Sequence, residues 1–231
     1  MKLSIIIITK NEEKYLPMLL ESIEKQQVNF DYEIIVSDAF SEDKTREIAK
    51  KFWCKIVDGW LPSKWRNEGA KIAKWKWFMF LDADVIVPKW ALQKWMDKIE
   101  EKKADIATPY TKLRKDEKWI IADLFFRTTL FSYNITWAAF GGWIIVKNIY
   151  FKKIWWFDEE IYLAEDIDFV KRVKKIWWKR INLFPFIEYS WRRFEKSWIF
   201  TTIFMAAWWH ILLMFWIKQK KTKKNEKIYK I

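Results

Sequence analysis

Glycine is scarce in this sequence: 4 residues in a chain of 231, where average usage of about 7% would give roughly 16. Tryptophan is in matching excess, at 19. The single cysteine, Cys54, excludes an internal disulfide and a thiolate zinc cluster, and fits a reducing compartment. The only histidine, His210, lies inside an apolar run, which suits a packed or interfacial residue better than a metal ligand. Low-complexity linkers and internal repeats are absent. The apolar run near the start covers only residues 5–8, too short for a signal-peptide core, so nothing is expected to carry the folded part across a membrane.

What is present describes a folded chain. Hydrophobic residues make up 52% and charged residues 32%, which excludes a disordered polymer, and the length suits one α/β domain with a short appendage. Net charge is +13, which suits solubility, an anionic membrane surface or nucleic acid. Location favours the membrane surface: Lys218, Lys220, Lys221, Lys223 and Lys224 directly follow the uncharged apolar run 198–217.

Along the chain, strand and helix patterns alternate. Residues 3–9, 33–36, 55–57 and 78–81 read as buried strands. Between them, Asn11 is expected to cap a helix over 12–26, Ser41 a helix over 42–52, and a third helix is expected over 64–74. Four strands in about eighty residues predict a mostly parallel, doubly wound sheet flanked by helices. Ligands of such sheets bind beyond the carboxyl ends of the strands, where Asp38, Asp82 and Asp84 fall. Further on, a helix is expected from Pro88 to about Lys103 and strands over 105–110 and 144–146. An amphipathic helix over 165–176 and a last strand over 180–184 follow, the strand ending at Pro185 and a loop.

Asp82-Ala83-Asp84 follows an apolar strand. Two carboxylates at a strand end can converge on one hard cation, Mg²⁺ or Mn²⁺, although an isolated Asp-x-Asp suits a solvated turn better. Such an ion bridges a diphosphate and neutralises its charge as it departs.

The ordered blocks around it raise the specificity. Ile5-Ile6-Ile7-Ile8-Thr9-Lys10-Asn11-Glu12-Glu13 is followed by Ile34-Ile35-Val36-Ser37-Asp38 and Ser41-Glu42-Asp43-Lys44-Thr45. Then come Arg66-Asn67-Glu68-Gly69-Ala70, Phe80-Leu81-Asp82-Ala83-Asp84, Phe157-Asp158-Glu159 and Glu165-Asp166-Ile167-Asp168-Phe169. In this order and spacing the sequence resembles family 2 glycosyltransferases over residues 3–193. The resemblance implies a GT-A fold, a Rossmann-like nucleotide-diphospho-sugar transferase domain. It also implies a metal-dependent, inverting hexosyl transfer, of the kind used in cell-envelope polysaccharide synthesis. It implies roles as well. Asp38 would contact the nucleotide base, with Thr9, Glu12 and Arg66 lining the same pocket. Asp82 and Asp84 would hold Mg²⁺ or Mn²⁺ and the donor diphosphate. Asp166 would be the general base, with Glu165 its rival. Partners implied are a UDP-, GDP- or dTDP-sugar and a glycan or polyprenol-linked acceptor.

The negative charge of Glu165-Asp166 also suits a helix N-terminus, whatever else it does. Arg192 and Arg193 suit either a phosphate of the donor or acceptor, or a basic collar beside the apolar run. Two other classes fit the composition. A nucleotidyltransferase wants a Gly/Lys/Arg-rich phosphate loop, which Thr9-Lys10-Asn11-Glu12 does not provide. A basic nucleic-acid-binding protein leaves the aligned carboxylates unexplained.

The division expected is a catalytic domain over 1–193 and a hydrophobic, membrane-associating helix with a basic tail over 194–231. Segment 198–217 holds 20 residues without formal charge, flanked by positive charge on both sides. It reads as a monotopic or re-entrant helix holding the domain at the cytoplasmic face of the membrane, with a spanning helix as the alternative.

Several tryptophans stand where glycine is the usual choice. Trp53, Trp75, Trp155 and Trp177 each follow an expected helix or sit in a turn, where a left-handed residue terminates the helix. In the family pattern Trp65, Trp143 and Trp155-Trp156 also fall on glycine positions. The sequence is therefore expected to be that of a gene whose UGA codons mean glycine, written here as Trp, with a truly Trp-rich protein adapted to aromatic ligands or membrane interfaces as the alternative. Trp77 and Trp119 remain candidates for true tryptophan.

Overall fold

The computed structural model describes residues 2–59, 62–114, 143–154, 156–161, 165–174 and 179–190. The segment 198–217, its basic tail, His210, Arg192, Arg193, Trp119, Trp155 and Trp177 lie outside the described residues. Among the described residues no helix is long and apolar enough to cross a membrane.

The run Ile5-Ile6-Ile7-Ile8 has no polar face, so the strand that carries it must be covered on both sides. It forms β1 (Lys2–Thr9), buried from its second residue onward. On one side β1 pairs in parallel with β2 (Asp31–Asp38), which pairs with β3 (Lys55–Asp58). On the other side it pairs in parallel with β4 (Trp77–Asp82). The remaining strands are β5 (Val85–Ile86), β6 (Ile106–Leu113), β7 (Ile144–Lys147) and β8 (Arg180–Tyr189). The sheet order is β3-β2-β1-β4-β7-β6-β8-β5.

The sheet is mixed, which corrects the expectation of a mostly parallel one. The first four strands run parallel, but β7 is antiparallel to both β4 and β6, and β5 is antiparallel to β8. The last expected strand also continues through Pro185 to Tyr189. A proline lacks the N–H that a ladder needs. Here β6 and β8 accommodate it with a register shift between Pro109 and Thr111, and the Pro185 carbonyl accepts the Trp95 indole N–H at 3.1 Å.

The helices are α1 (Leu16–Glu24), α2 (Thr45–Lys51), α3 (Pro62–Ile72), α4 (Ala91–Glu101), α5 (Asn148–Lys153) and α6 (Glu165–Lys174). They cover both faces. Leu16, Leu19, Leu20 and Ile23 of α1 and Leu92, Trp95, Met96 and Ile99 of α4 join the core of Leu3, Ile5 and Ile7. Ala70 of α3, Phe151 of α5 and Phe169 of α6 meet Ile6, Phe78 and Phe80 on the other face. The α3 backbone approaches β1 closely: a Cβ on Gly69 would lie 2.4 Å from Ile6 Cγ2.

Two helix starts differ from expectation. Asn11 adopts φ 53° and is not a cap; its Oδ1 accepts the Glu42 N–H at 2.9 Å, and α1 begins after Tyr15 with Pro17 in its first turn. Ser41 does not cap α2, because its hydroxyl donates to Asp38. The helix begins at Thr45, whose N–H donates to Asp43 at 3.0 Å.

Among the described residues, three of the six non-glycine residues with positive φ are tryptophans: Trp53 (56°), Trp90 (67°) and Trp156 (62°). Trp53 follows the C-cap of α2 with its N–H bonded to the Lys50 carbonyl and the Cys54 N–H bonded to the Ala49 carbonyl. That pair of bonds defines a Schellman motif with Trp53 at the left-handed position where glycine is the usual residue. Its side chain is 93% exposed, so no packing compensates. Trp77, by contrast, is buried in β4.

Candidate active site

Sheet register assembles the site. Thr9 pairs with Asp38, Asp38 with Asp58, and Ile8 with Asp82, so one row of strand ends carries all four polar residues.

The first cluster lies at the ends of β1 and β2. Asp38 is fully buried. Its carboxylate accepts the Thr9 hydroxyl at 2.8 Å and both the N–H and hydroxyl of Ser41, at 2.9 and 2.6 Å. Arg46 Nη1 lies 3.2 Å from Asp38 Oδ2 and 2.7 Å from Asp58 Oδ1. The Asp58 hydrogen bond is the main reason the Arg46 guanidinium holds its proton more tightly than usual, and the bond to Asp38 adds to it. A buried carboxylate is stable only when compensated in this way.

The loops after these strands are laced together. The Asn11 N–H donates to the Ser41 hydroxyl at 2.8 Å, the Glu12 N–H to the Thr45 hydroxyl at 2.7 Å, and the Glu13 N–H to Asp43 Oδ2 at 3.0 Å. Burial works against the Asp43 charge, but the Thr45 hydroxyl and the Glu13 and Thr45 N–H groups outweigh it and hold this carboxyl below the usual range. The Thr/Asn/Glu and Ser-x-Asp-x-Thr stretches of the sequence are thus two halves of one hydrogen-bonded platform. Glu12, buried, sits within it.

The second cluster lies at the end of β4. Asp82 and Asp84 are 6% and 2% exposed, and the Asp84 carbonyl accepts the Ser190 N–H at 3.2 Å, which pins the turn to the end of β8. Arg66, from α3, places Nη2 3.2 Å from Asp82 Oδ1 and bonds Glu165 Oε1 through Nη1. Its guanidinium lies 5.4 Å over the Phe157 ring. Asn67 secures that ring's backbone, donating to the Phe157 carbonyl at 2.9 Å and accepting its N–H at 3.0 Å. It also donates to Glu159 at 2.9 Å. Asp168, on α6, is bonded by Arg172 at 2.6 Å within the same helix. The backbone of Asp166 belongs to α6 beside Glu165; its side chain lies outside the described part of the structure.

Of the residues singled out in the sequence, Thr9 and Asp38 come together in one cluster. Arg66, Asp82 and Glu165 come together in the other, with Asp84 on the adjoining turn. Sequence reasoning missed Arg46 and Asp58, which complete the Asp38 cluster, and Asn67, which fixes Phe157. The signal for Asp58 was available: it ends a strand as Asp38 does.

Among the described residues, no group of three or more His, Cys, Asp and Glu side chains is placed to hold a metal ion. Two hard carboxylates nevertheless suit Mg²⁺ or Mn²⁺. These ions bind through one or two carboxylates and fill their remaining positions with substrate phosphates and water. The donor set of Asp82 and Asp84 fits that pattern.

Comparison with known proteins adds to this geometry. The family model described as glycosyl transferase family 2 matches residues 4–152. Over 115 residues the chain is 32% identical to poly(ribitol-phosphate) beta-N-acetylglucosaminyltransferase TarS of Staphylococcus aureus, covering 46% of this chain and 20% of that protein. Over 116 residues it is 32% identical to poly(ribitol-phosphate) beta-glucosyltransferase of Bacillus spizizenii, covering 46% of this chain and 18% of that protein. The chain thus spans about a fifth of the length of these relatives. The crystal structure of S. aureus TarS 1-349 in complex with UDP-GlcNAc superposes with a TM-score of 0.66 at 24% identity. The match covers 82% of this chain and 58% of that one. The likeness shows a shared α/β fold of the GT-A kind with a mixed sheet.

Proposed function

This chain belongs to glycosyl transferase family 2, and from that premise we propose that it transfers a sugar, with inversion, from a nucleoside-diphosphate sugar to a glycan or lipid-linked acceptor. The observation that carries the reading is the convergence of Arg66 with Asp82 and Glu165 at the end of β4, beside Asp84. The acceptor hydroxyl attacks the anomeric carbon, the new C–O bond forms as the bond to the diphosphate breaks, and the acceptor proton passes to a carboxylate. Arg66 engages Glu165, which leaves the base role to Asp166, the next residue on α6. Asp82 and Asp84 would hold Mg²⁺ or Mn²⁺, and the ion would supply positive charge against the diphosphate leaving group. The Thr9–Asp38 cluster faces the nucleoside. Segment 198–217 holds the domain at the cytoplasmic face of the membrane, where nucleotide sugars are made.

The relatives are named for poly(ribitol-phosphate), so a phosphate-bearing polyol is the first acceptor to try. The test is a panel of UDP-, GDP- and dTDP-sugars incubated with the purified chain and Mn²⁺, with released nucleotide measured with and without that acceptor. Asp166→Asn should leave nucleotide binding intact and lower turnover by about 10²–10⁴-fold. An unchanged turnover removes Asp166 from the base role, and no nucleotide release from any donor overturns the transfer itself.

A further inference from the structure

Trp65 fills the crevice between the ends of β1 and β2. It is 6% exposed and forms its own small apolar cluster with Ile8 and Ala39, one residue before the end of β1 and one after the end of β2. The Ala39 N–H bonds the Thr9 carbonyl at 2.9 Å and the Gly59 N–H bonds the Asp38 carbonyl at 2.8 Å, so this crevice adjoins the Thr9–Asp38 cluster. The indole presses on the far wall: a Cβ on Gly59 would lie 2.0 Å from Trp65 Cδ1. Its Nε1 is buried without a hydrogen-bond partner among the described residues. A polar atom in that state is expensive, and it marks a place better suited to a group that can use it.

The position is that of a ligand seat. Crevices beyond the carboxyl ends of parallel strands bind ligands in open α/β sheets. Apolar walls with a few placed polar groups are what flat heteroaromatic ligands require. An indole and a nucleobase are of about the same size. We propose that residue 65 controls the nucleobase seat of the donor: tryptophan there plugs it, and a small residue opens it. This rests on the donor reading above. It also joins the tryptophan excess to function, since position 65 is one where glycine is expected in place of the written Trp.

The test measures binding of UDP, GDP and dTDP in Mn²⁺ by calorimetry to the full chain as written and to Trp65→Gly, Trp65→Ala and Trp53→Gly. Trp65→Gly and Trp65→Ala should bind one nucleotide at least about tenfold tighter than the chain as written, and Trp53→Gly, remote and exposed, should not. Trp65→Ala keeps a strong helix former in α3 and carries the test if the glycine variant fails to fold. Equal affinity of all forms overturns the plug while the donor reading stands. Weaker binding by both position-65 variants also overturns it, and makes the indole a stacking wall. If no form binds any of the three nucleotides, the donor reading falls and takes the plug with it.

Discussion

Arg66 Nη2 and Asp82 Oδ1 lie 3.2 Å apart, with both side chains more than nine-tenths buried. The same guanidinium also bonds Glu165, so one cation on α3 holds together carboxylates from β4 and α6. Without that cation the two buried carboxylates would repel each other. Arg66→Ala should therefore cost stability as well as activity, about 3–5 kcal/mol for removing one partner of a buried ion pair. Arg66→Lys keeps the charge but not the fork that reaches two carboxylates, and should recover only part. Urea unfolding midpoints of the three proteins check this. A midpoint unchanged in Arg66→Ala would show that the carboxylates need no such tie.

Asp84 sits on the turn after β4, pinned through its carbonyl to Ser190. Asp84→Asn preserves shape and that backbone bond, so the melting temperature should stay close to that of the parent. Mn²⁺-dependent nucleotide binding should fall by about tenfold or more, and sugar transfer should fall with it, because an amide is a poor ligand for a hard cation. Calorimetry with Mn²⁺ and with chelator separates the effects. Full activity in chelator would refute the metal role.

The strands of the first half and the row of aspartates at their ends were readable because buried parallel strands write themselves as unbroken β-branched runs. What was not readable came from contacts between distant residues. Arg66 and Glu165 are 99 positions apart, and nothing in the local pattern around either names the other. Asn67 likewise looks like a helix surface residue until Phe157 and Glu159 are placed beside it. The errors at Asn11 and Ser41 share one cause. Both are good N-cap residues by type, yet their side chains bond each other's loops and Asp38 instead, a tertiary demand that overrides local preference. The two-residue strand β5 and the short helix α5 are too brief to show periodicity.

Trp53 offers a direct check of the glycine reading. A bulky residue held at φ 56° costs about 1–2 kcal/mol relative to glycine, and an exposed indole recovers little of it. Trp53→Gly should therefore raise stability by about 1 kcal/mol, and Trp90→Gly should act in the same direction, whereas Trp156 also packs on Phe151, so its replacement loses contact along with the strain. Thermal melts measure the gain. Mass spectrometry of the protein from its native source decides the residue itself: tryptophan found at 53, 65 and 156 would end the recoding idea.

Glu33 sets the acid limit. Burial alone would raise its carboxyl, but hydrogen bonds from Lys55, the Lys74 N–H and the Ser4 hydroxyl outweigh that and hold it below the ordinary value of 4.5. The folded protein therefore releases this proton more readily than the unfolded chain. The stability gained is fully present above about pH 4.5 and is lost as pH falls through the lower folded-state value. Asp43, held low by Thr45 and the Glu13 N–H, adds loss in the same direction. Glu33 joins three elements, since Ser4 lies on β1, Lys55 on β3 and Lys74 just beyond α3. Glu33→Gln keeps the shape and removes the charge. It should be less stable than the parent at pH 7, and the difference should shrink steadily toward pH 3. Melting temperatures of both proteins across that range measure it, and a gap of constant size at every pH would show that the carboxylate charge contributes nothing.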